Sequence, residues 1–337
     1  MNQNRLGIAS IVLVALVGAT VWQLNSREAE DKVTPTATVE VPSLKADDIQ
    51  ELTFTAPEKP TVTVVRKGDG WQLTAPVQAK ADDNAIKTAL TKLEELEVTG
   101  VAATKEKNHG KLEVDGETGS RVTVKGAGKT LLDGWVGVYR SGNSMFRLEG
   151  DEKVATVKGS IRYAFSKEVR EWRDRTITKV ETDSVQEMKL VNPKGEFHFK
   201  REGDTWAQVG GKKVEPLDES KVKGIVGSGA SLNATDFAAT DVTAEAAGLG
   251  EDAPTFTLVL GGDAGPSEIT YRLGGPAEKN FYLQKVGDDE IFIVSSWVHG
   301  RLTAGEDVLK KEAPPDPNQP RLGSPENPIR VEPTKVE

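Results

Sequence analysis

The sequence contains no cysteine, which excludes disulfides, thiolate metal sites, thiol nucleophiles and a lipidated amino-terminal cysteine. Histidine is nearly as scarce. His109, His198 and His299 are the only three, and they share no ligand spacing with one another or with carboxylates. Neither a metal nor another cofactor is therefore expected. Positive charge is in deficit, with 43 basic against 52 acidic side chains and a net charge of −9. That balance argues against nucleic acid, whose binders present a basic face. The nucleophile-elbow pattern is also missing, because Gly227-Ser228-Gly229 lacks the flanking glycine spacing. Adjacent acids such as Asp82-Asp83, Glu94-Glu95 and Asp288-Asp289 read as helix starts, solvated faces or turns, and no catalytic residue is assigned. Hydrophobic residues make up only 37% of the chain, but the globular average of about 45–50% counts glycine. The 33 glycines close most of that gap. At roughly 100–200 residues per domain, the 337 residues suggest two domains.

One long hydrophobic run is present. Leu6 to Leu24 spans 19 uncharged residues, enough for roughly 28 Å of helix against a hydrocarbon core of about 30 Å. Arg5 precedes it, Glu28, Glu30 and Asp31 follow, and Trp22 sits near its outer end. This pattern predicts a single-pass anchor in the bacterial inner membrane, with a cytoplasmic amino terminus and a periplasmic bulk. Cleavage after Ala19, with Val17 and Ala19 as small residues, is the competing reading, and on either one the rest of the chain is exported. The far end has a different character. Seven of the 17 prolines lie within residues 312–337, a density that predicts an extended, disordered tail.

Between these ends the chain resembles itself at an offset of about 135 residues. Asp48-Ile49-Gln50-Glu51-Leu52-Thr53-Phe54 matches Ser184-Val185-Gln186-Glu187-Met188-Lys189-Leu190, and Arg66-Lys67-Gly68-Asp69-Gly70-Trp71 matches Arg201-Glu202-Gly203-Asp204-Thr205-Trp206. A proline follows each tryptophan (Pro76, Pro216), and then an aspartate that starts a helix. Later matches set Leu132–Gly137 against Thr270–Gly275, Phe146 against Phe281/Tyr282, and Lys153–Val157 against Glu290–Val294. The predicted organisation is an anchor and tether over 1–33, repeat one over 34–178, repeat two over 179–311 and the tail over 312–337. β-Branched alternation with glycine turns, and one clear helix per repeat, predict an α+β fold in which each antiparallel sheet carries a covering helix. Gly224, Gly227 and Gly229 weaken the second of these helices or permit close packing. A further helical stretch is predicted over Ile161–Trp172. Gly126-Ala127-Gly128-Lys129-Thr130 has the look of a phosphate loop, but Thr123 stands where its first glycine belongs, and strand-like residues flank it. It reads as a hairpin turn.

The candidate contact residues fall into two sets. Trp172, Arg173, Asp174 and Arg175 place two guanidiniums around one carboxylate beside an aromatic ring. Arginine forks suit carboxylate and phosphate, so this is a candidate partner patch; the structural alternative packs Trp172 and pairs Asp174 with an arginine. Trp135, Tyr139 and Trp297 have no duplicate tryptophan in the other repeat and are candidates for a contact surface, whereas Trp71 and Trp206 occupy matched positions and read as core.

The single membrane segment, the duplicated Gly-Asp-x-Trp hairpins and the Trp172-Arg173-Asp174-Arg175-Thr176-Ile177 junction together resemble the bacterial envelope family called domain of unknown function 4340. The resemblance covers about Lys45 to Lys311. It implies an inner-membrane-anchored protein associated with gliding-type ABC transport components, and supplies no active site. The resulting expectation is a non-enzymatic, membrane-tethered periplasmic binding or scaffold protein. The alternative is an envelope glycan-binding module or hydrolase.

Overall fold

The computed structural model describes residues 38–262 and 265–312. The anchor segment and residues 313–337 of the proline-rich tail lie outside the described residues. Among the described residues, no helix is long and apolar enough to cross a membrane. The chain divides into two compact units, residues 1–174 and 175–337.

In the first unit, β1 (Glu51–Thr55), β2 (Val62–Lys67), β3 (Gly70–Ala75) and β4 (Ala79–Lys80) lead into α1 (Asp83–Glu94). The chain continues through β5 (Val98–Ala103), the single-turn α2 (His109–Leu112), β6 (Ser120–Gly126), β7 (Lys129–Arg140), β8 (Asn143–Leu148), β9 (Val154–Lys158) and α3 (Val169–Trp172). The strands form one sheet in the order β4-β3-β2-β1-β6-β7-β8-β9-β5, with every neighbouring pair antiparallel. Strand alternation sorts the side chains: Leu52, Phe54, Val62, Val64, Leu73, Val122 and Val124 all turn to one face. α1 covers that face with Ala85, Ile86, Ala89 and Leu93. Its start is set by Asp82, whose carboxylate accepts from the Ala85 amide at 2.8 Å and satisfies one of the otherwise unpaired first-turn donors. Each buried aliphatic side chain contributes about 1.5–3 kcal/mol, so the packing of α1 on this face stabilises both.

The opposite face is covered as well. Trp135 and Met145, each next to a core residue on its strand, point away from Val136 and Phe146 into a second cluster with Ala103, Val114 and Val154. Val114 belongs to the excursion between β5 and β6 that carries α2, and Gly137 lets that excursion approach. A side chain there would start 2.0 Å from the Leu112 carbonyl oxygen.

The second unit contains β10 (Thr176–Lys179), β11 (Val185–Asn192), β12 (Gly195–Glu202), β13 (Thr205–Gly211), α4 (Glu219–Ala230), β14 (Ser231–Asn233) and β15 (Asp236–Phe237). There follow β16 (Thr255–Leu260), β17 (Ser267–Ala277), β18 (Asn280–Lys285), β19 (Ile291–Val294), α5 (Ser296–Leu302) and α6 (Glu306–Leu309). Its main sheet runs β13-β12-β11-β16-β17-β18-β19-β15, the order of the first unit without the short edge strand; β10 and β14 pair separately. The fold is thus α+β in character: two mostly antiparallel sheets with few helices. The interior glycines of α4 have separate roles. Phe256 sits 2.3 Å from where a Gly229 side chain would begin and Arg301 2.1 Å from that of Gly224, whereas Gly227 meets nothing closer than 4.0 Å.

Register refines the internal matches. Leu52 pairs with Val124 and Val124 with Leu132, just as Met188 pairs with Leu258 and Leu258 with Ile269. Leu132 therefore corresponds to Ile269, one residue earlier than the sequence match implied. Likewise Phe146 corresponds to Leu283, since Val136 pairs with Phe146 and Leu273 with Leu283. The two prolines are not counterparts either. Ala81 bridges Arg173 and Leu217 bridges Lys310, which sets Pro216 in the place of Lys80. The expected helix over Ile161–Trp172 is two short turns, Arg162–Ala164 and Val169–Trp172. The first turn ends at its C-cap, the buried Phe165, and the reciprocal Glu168/Glu171 capping box starts the second. The Gly126–Thr130 segment is a hairpin turn, with Gly126 paired to Lys129.

Candidate functional site

The Trp172 to Arg175 set separates into distinct environments. Trp172 is fully buried and stacks on Phe54, its ring centroid 4.1 Å away, which places it in the core of the first unit and removes it from any contact surface. Arg173 is largely buried at its bridge to Ala81. The Asp174 carboxylate pairs, within the same unit, with Lys80 at 2.7 Å, and this contact raises the Lys80 pKa. Arg175 is exposed and lies in the second unit, where its carbonyl accepts from the Ala234 amide at 2.8 Å. The Asp174 carboxylate thus has Lys80 as an ion-pair partner beside the arginines that flank it in the sequence.

Trp135 is not an exposed ring; only 8% of it is accessible. Register explains why. Arg121 on β6 and Arg147 on β8 are its cross-strand partners, and their guanidiniums lie 5.3 and 5.9 Å from the ring centroid. Arg121 makes two 2.8 Å hydrogen bonds to Asp133, which hold the Asp133 carboxyl below its usual range. The Glu149 carboxylate accepts from the Trp135 indole N–H and lies 3.7 Å from Arg147. The charges beside the indole are thus paired with one another, and the ring itself is buried. Sequence spacing could not show this sandwich, because it exists only once three strands are in register.

Trp297 is the reverse case. It lies on α5, whose start is capped by Ser295 accepting from the Val298 amide, and 63% of it is exposed. Arg301, one turn further along, places its guanidinium 4.7 Å from the ring centroid; the four-residue spacing was readable in the sequence. On the same helix, the imidazole of His299 stacks on Phe281 of β18 at 4.0 Å, and burial lowers its pKa. Tyr139 is also exposed, near the end of β7 in the first unit. Of the remaining tryptophans, Trp71 and Trp206 are buried, and each carries an arginine over its ring, Arg66 at 5.0 Å and Arg201 at 5.8 Å. Among the described residues, no group of three histidine or carboxylate side chains is placed to hold a metal ion.

The family described as Domain of unknown function (DUF4340) matches residues 13–105 and 71–254, two overlapping segments consistent with a repeat. The chain belongs to this family. No curated protein and no solved structure matches it.

Proposed function

We propose that this chain is a non-enzymatic binding or scaffold protein, tethered to the bacterial inner membrane by Leu6–Leu24 and exposing its two units to the periplasm. Its partner on this reading is an ABC-type, gliding-like transport or envelope complex, the association that the family resemblance implies. The observation that carries the proposal is Trp297. An indole left 63% exposed, with a guanidinium 4.7 Å from its ring centroid, leaves apolar area in water that a partner could bury. Aromatic and arginine anchors of this kind dominate protein interfaces, and a cation–π pair strengthens from about 0.5–1 kcal/mol when exposed to 2 or more when a partner excludes water.

The test is crosslinking of the full chain in native membranes, followed by purification in detergent. A specific partner should be recovered with the unaltered chain and lost with Trp297→Ala, while the denaturation midpoint stays unchanged. Recovery of the chain alone after crosslinking, or undiminished recovery with Trp297→Ala, overturns the proposal.

A further inference from the structure

Independently of the Trp297 surface, the second unit contains a cavity of about 420 Å³ lined by Lys194, Lys212, Glu306, Asp307 and Lys310. The first unit shows how the same fold positions look when they are closed. Lys59, in the β1–β2 loop, pairs with Glu168 at 2.8 Å and donates to the Ser166 carbonyl at 2.7 Å. Glu168 is the residue that caps α3. At the far end of that helix Arg173 bridges Ala81, and Asp174 neutralises Lys80.

In the second unit each acid in this arrangement has been exchanged. The residue preceding α6 is Gly305, which has no side chain, and Lys194 of the β11–β12 turn lies across it, with Cδ 2.6 Å from where a side chain would begin. Lys310 takes the place of Arg173, because the Leu217–Lys310 bridge repeats the Ala81–Arg173 bridge. The flanking bonds repeat too, from the Asp82 amide to the Trp172 carbonyl at 2.8 Å and from the Asp218 amide to the Leu309 carbonyl at 2.9 Å. Counting one residue on, Lys311 replaces Asp174. Lys212 pairs with Glu306 at 3.2 Å, whereas Lys194 and Lys310 form no ion pair among the described residues. The Lys194 charge is also felt nearby, where it adds to burial in lowering the His299 pKa.

We propose that this cavity binds a phosphate-bearing polar group of small size. Three ammonium groups against two carboxylates leave one positive charge, which matches a phosphodiester monoanion. Lysines act on phosphate as point charges and need no planar, two-pronged partner. Glu306 and Asp307 supply acceptors for an ammonium or hydroxyl group carried by the same ligand. The phosphate could come from a lipid headgroup or from the free ion, and the two differ in their need for those acids.

The test is calorimetric titration of the full chain, in detergent and phosphate-free buffer at low salt, with glycerophosphoethanolamine and with inorganic phosphate. Saturable binding of at least one probe is expected, weakened at least tenfold in Lys194→Gln/Lys310→Gln and unchanged in Lys59→Gln. A headgroup source is indicated if Glu306→Gln/Asp307→Asn weakens glycerophosphoethanolamine. A free-ion source is indicated if that change leaves glycerophosphoethanolamine unaffected and inorganic phosphate binds at least as tightly. All five substituted lysine and acid sites are exposed or half-exposed, so circular dichroism should show unaltered folding in each variant. Absence of saturable binding by either probe overturns the proposal. So does full binding in Lys194→Gln/Lys310→Gln, or an equal loss in Lys59→Gln.

Discussion

Trp172 lies face to face with Phe54, ring centroids 4.1 Å apart and planes 9° from parallel. Its indole N–H is buried without a hydrogen-bond partner, so the residue is held by stacking and dispersion. Replacement by alanine should lower stability by about 3–5 kcal/mol. Trp172→Phe keeps the stack and removes an unpaired donor, so it should cost much less. Urea denaturation followed by circular dichroism compares the two; equal losses would show that the stack contributes little.

The glycines of α4 predict changes of opposite sign. Gly227→Ala should stabilise by about 0.5–1 kcal/mol, the helix-propensity gain, because nothing lies closer than 4.0 Å to the new methyl group. Gly229→Ala should destabilise by about 1–3 kcal/mol, the cost of overpacking, since the Phe256 ring stands 2.3 Å from the added carbon. Thermal midpoints of the two variants measure the contrast.

Burial raises the Tyr271 pKa to about 12, while its hydroxyl donates to the Gly229 carbonyl at 2.9 Å. Between about pH 10 and 12 the unfolded chain has released this proton and the folded chain retains it. Unfolding is therefore favoured as pH rises across that window. Tyr271→Phe should remove this alkaline loss, at the cost of about 1 kcal/mol at neutral pH for the missing hydrogen bond. Stability measured from pH 8 to 12 in both proteins checks the sign.

Acid acts through other groups. Asp133 is held below the usual carboxylate range first by its hydrogen bonds to Arg121, and Glu187 first by its 2.8 Å contact with His198. Each contributes stability above its unfolded pKa and loses it as pH falls through the lowered folded value. Asp133→Asn and Glu187→Gln should both flatten the decline in stability below about pH 4, where carboxylates take up protons. An unchanged acid limb in both variants would contradict this.

Much of the architecture is legible in the sequence. The alternation in Thr61 to Arg66, the Gly-Asp turns before Trp71 and Trp206, and the Asp82 and Asp218 helix starts are local signals, and each formed the element it announced. Register was not legible. A shift of one residue in β17 leaves the composition of a β-rich stretch unchanged, but it decides which side chains face the core. For this reason sequence similarity sets Leu132 against Thr270, whereas its structural counterpart is Ile269. Composition alone also could not separate Trp135 from Trp297, since neither has a duplicate.

The sequence alone determined the duplication, the β-rich elements, the absence of thiol chemistry and the membership of one family. These depend on residue identity and short-range spacing, where turn, cap and alternation rules operate. Tertiary structure decided which candidate residues are exposed. It buried Trp172 against Phe54 and Trp135 between Arg121 and Arg147, left Trp297 in water, and gathered Lys194, Lys212 and Lys310 around one cavity. Exposure and charge balance are sums over neighbours distant in the chain, and those neighbours are set only when strands pair and helices pack.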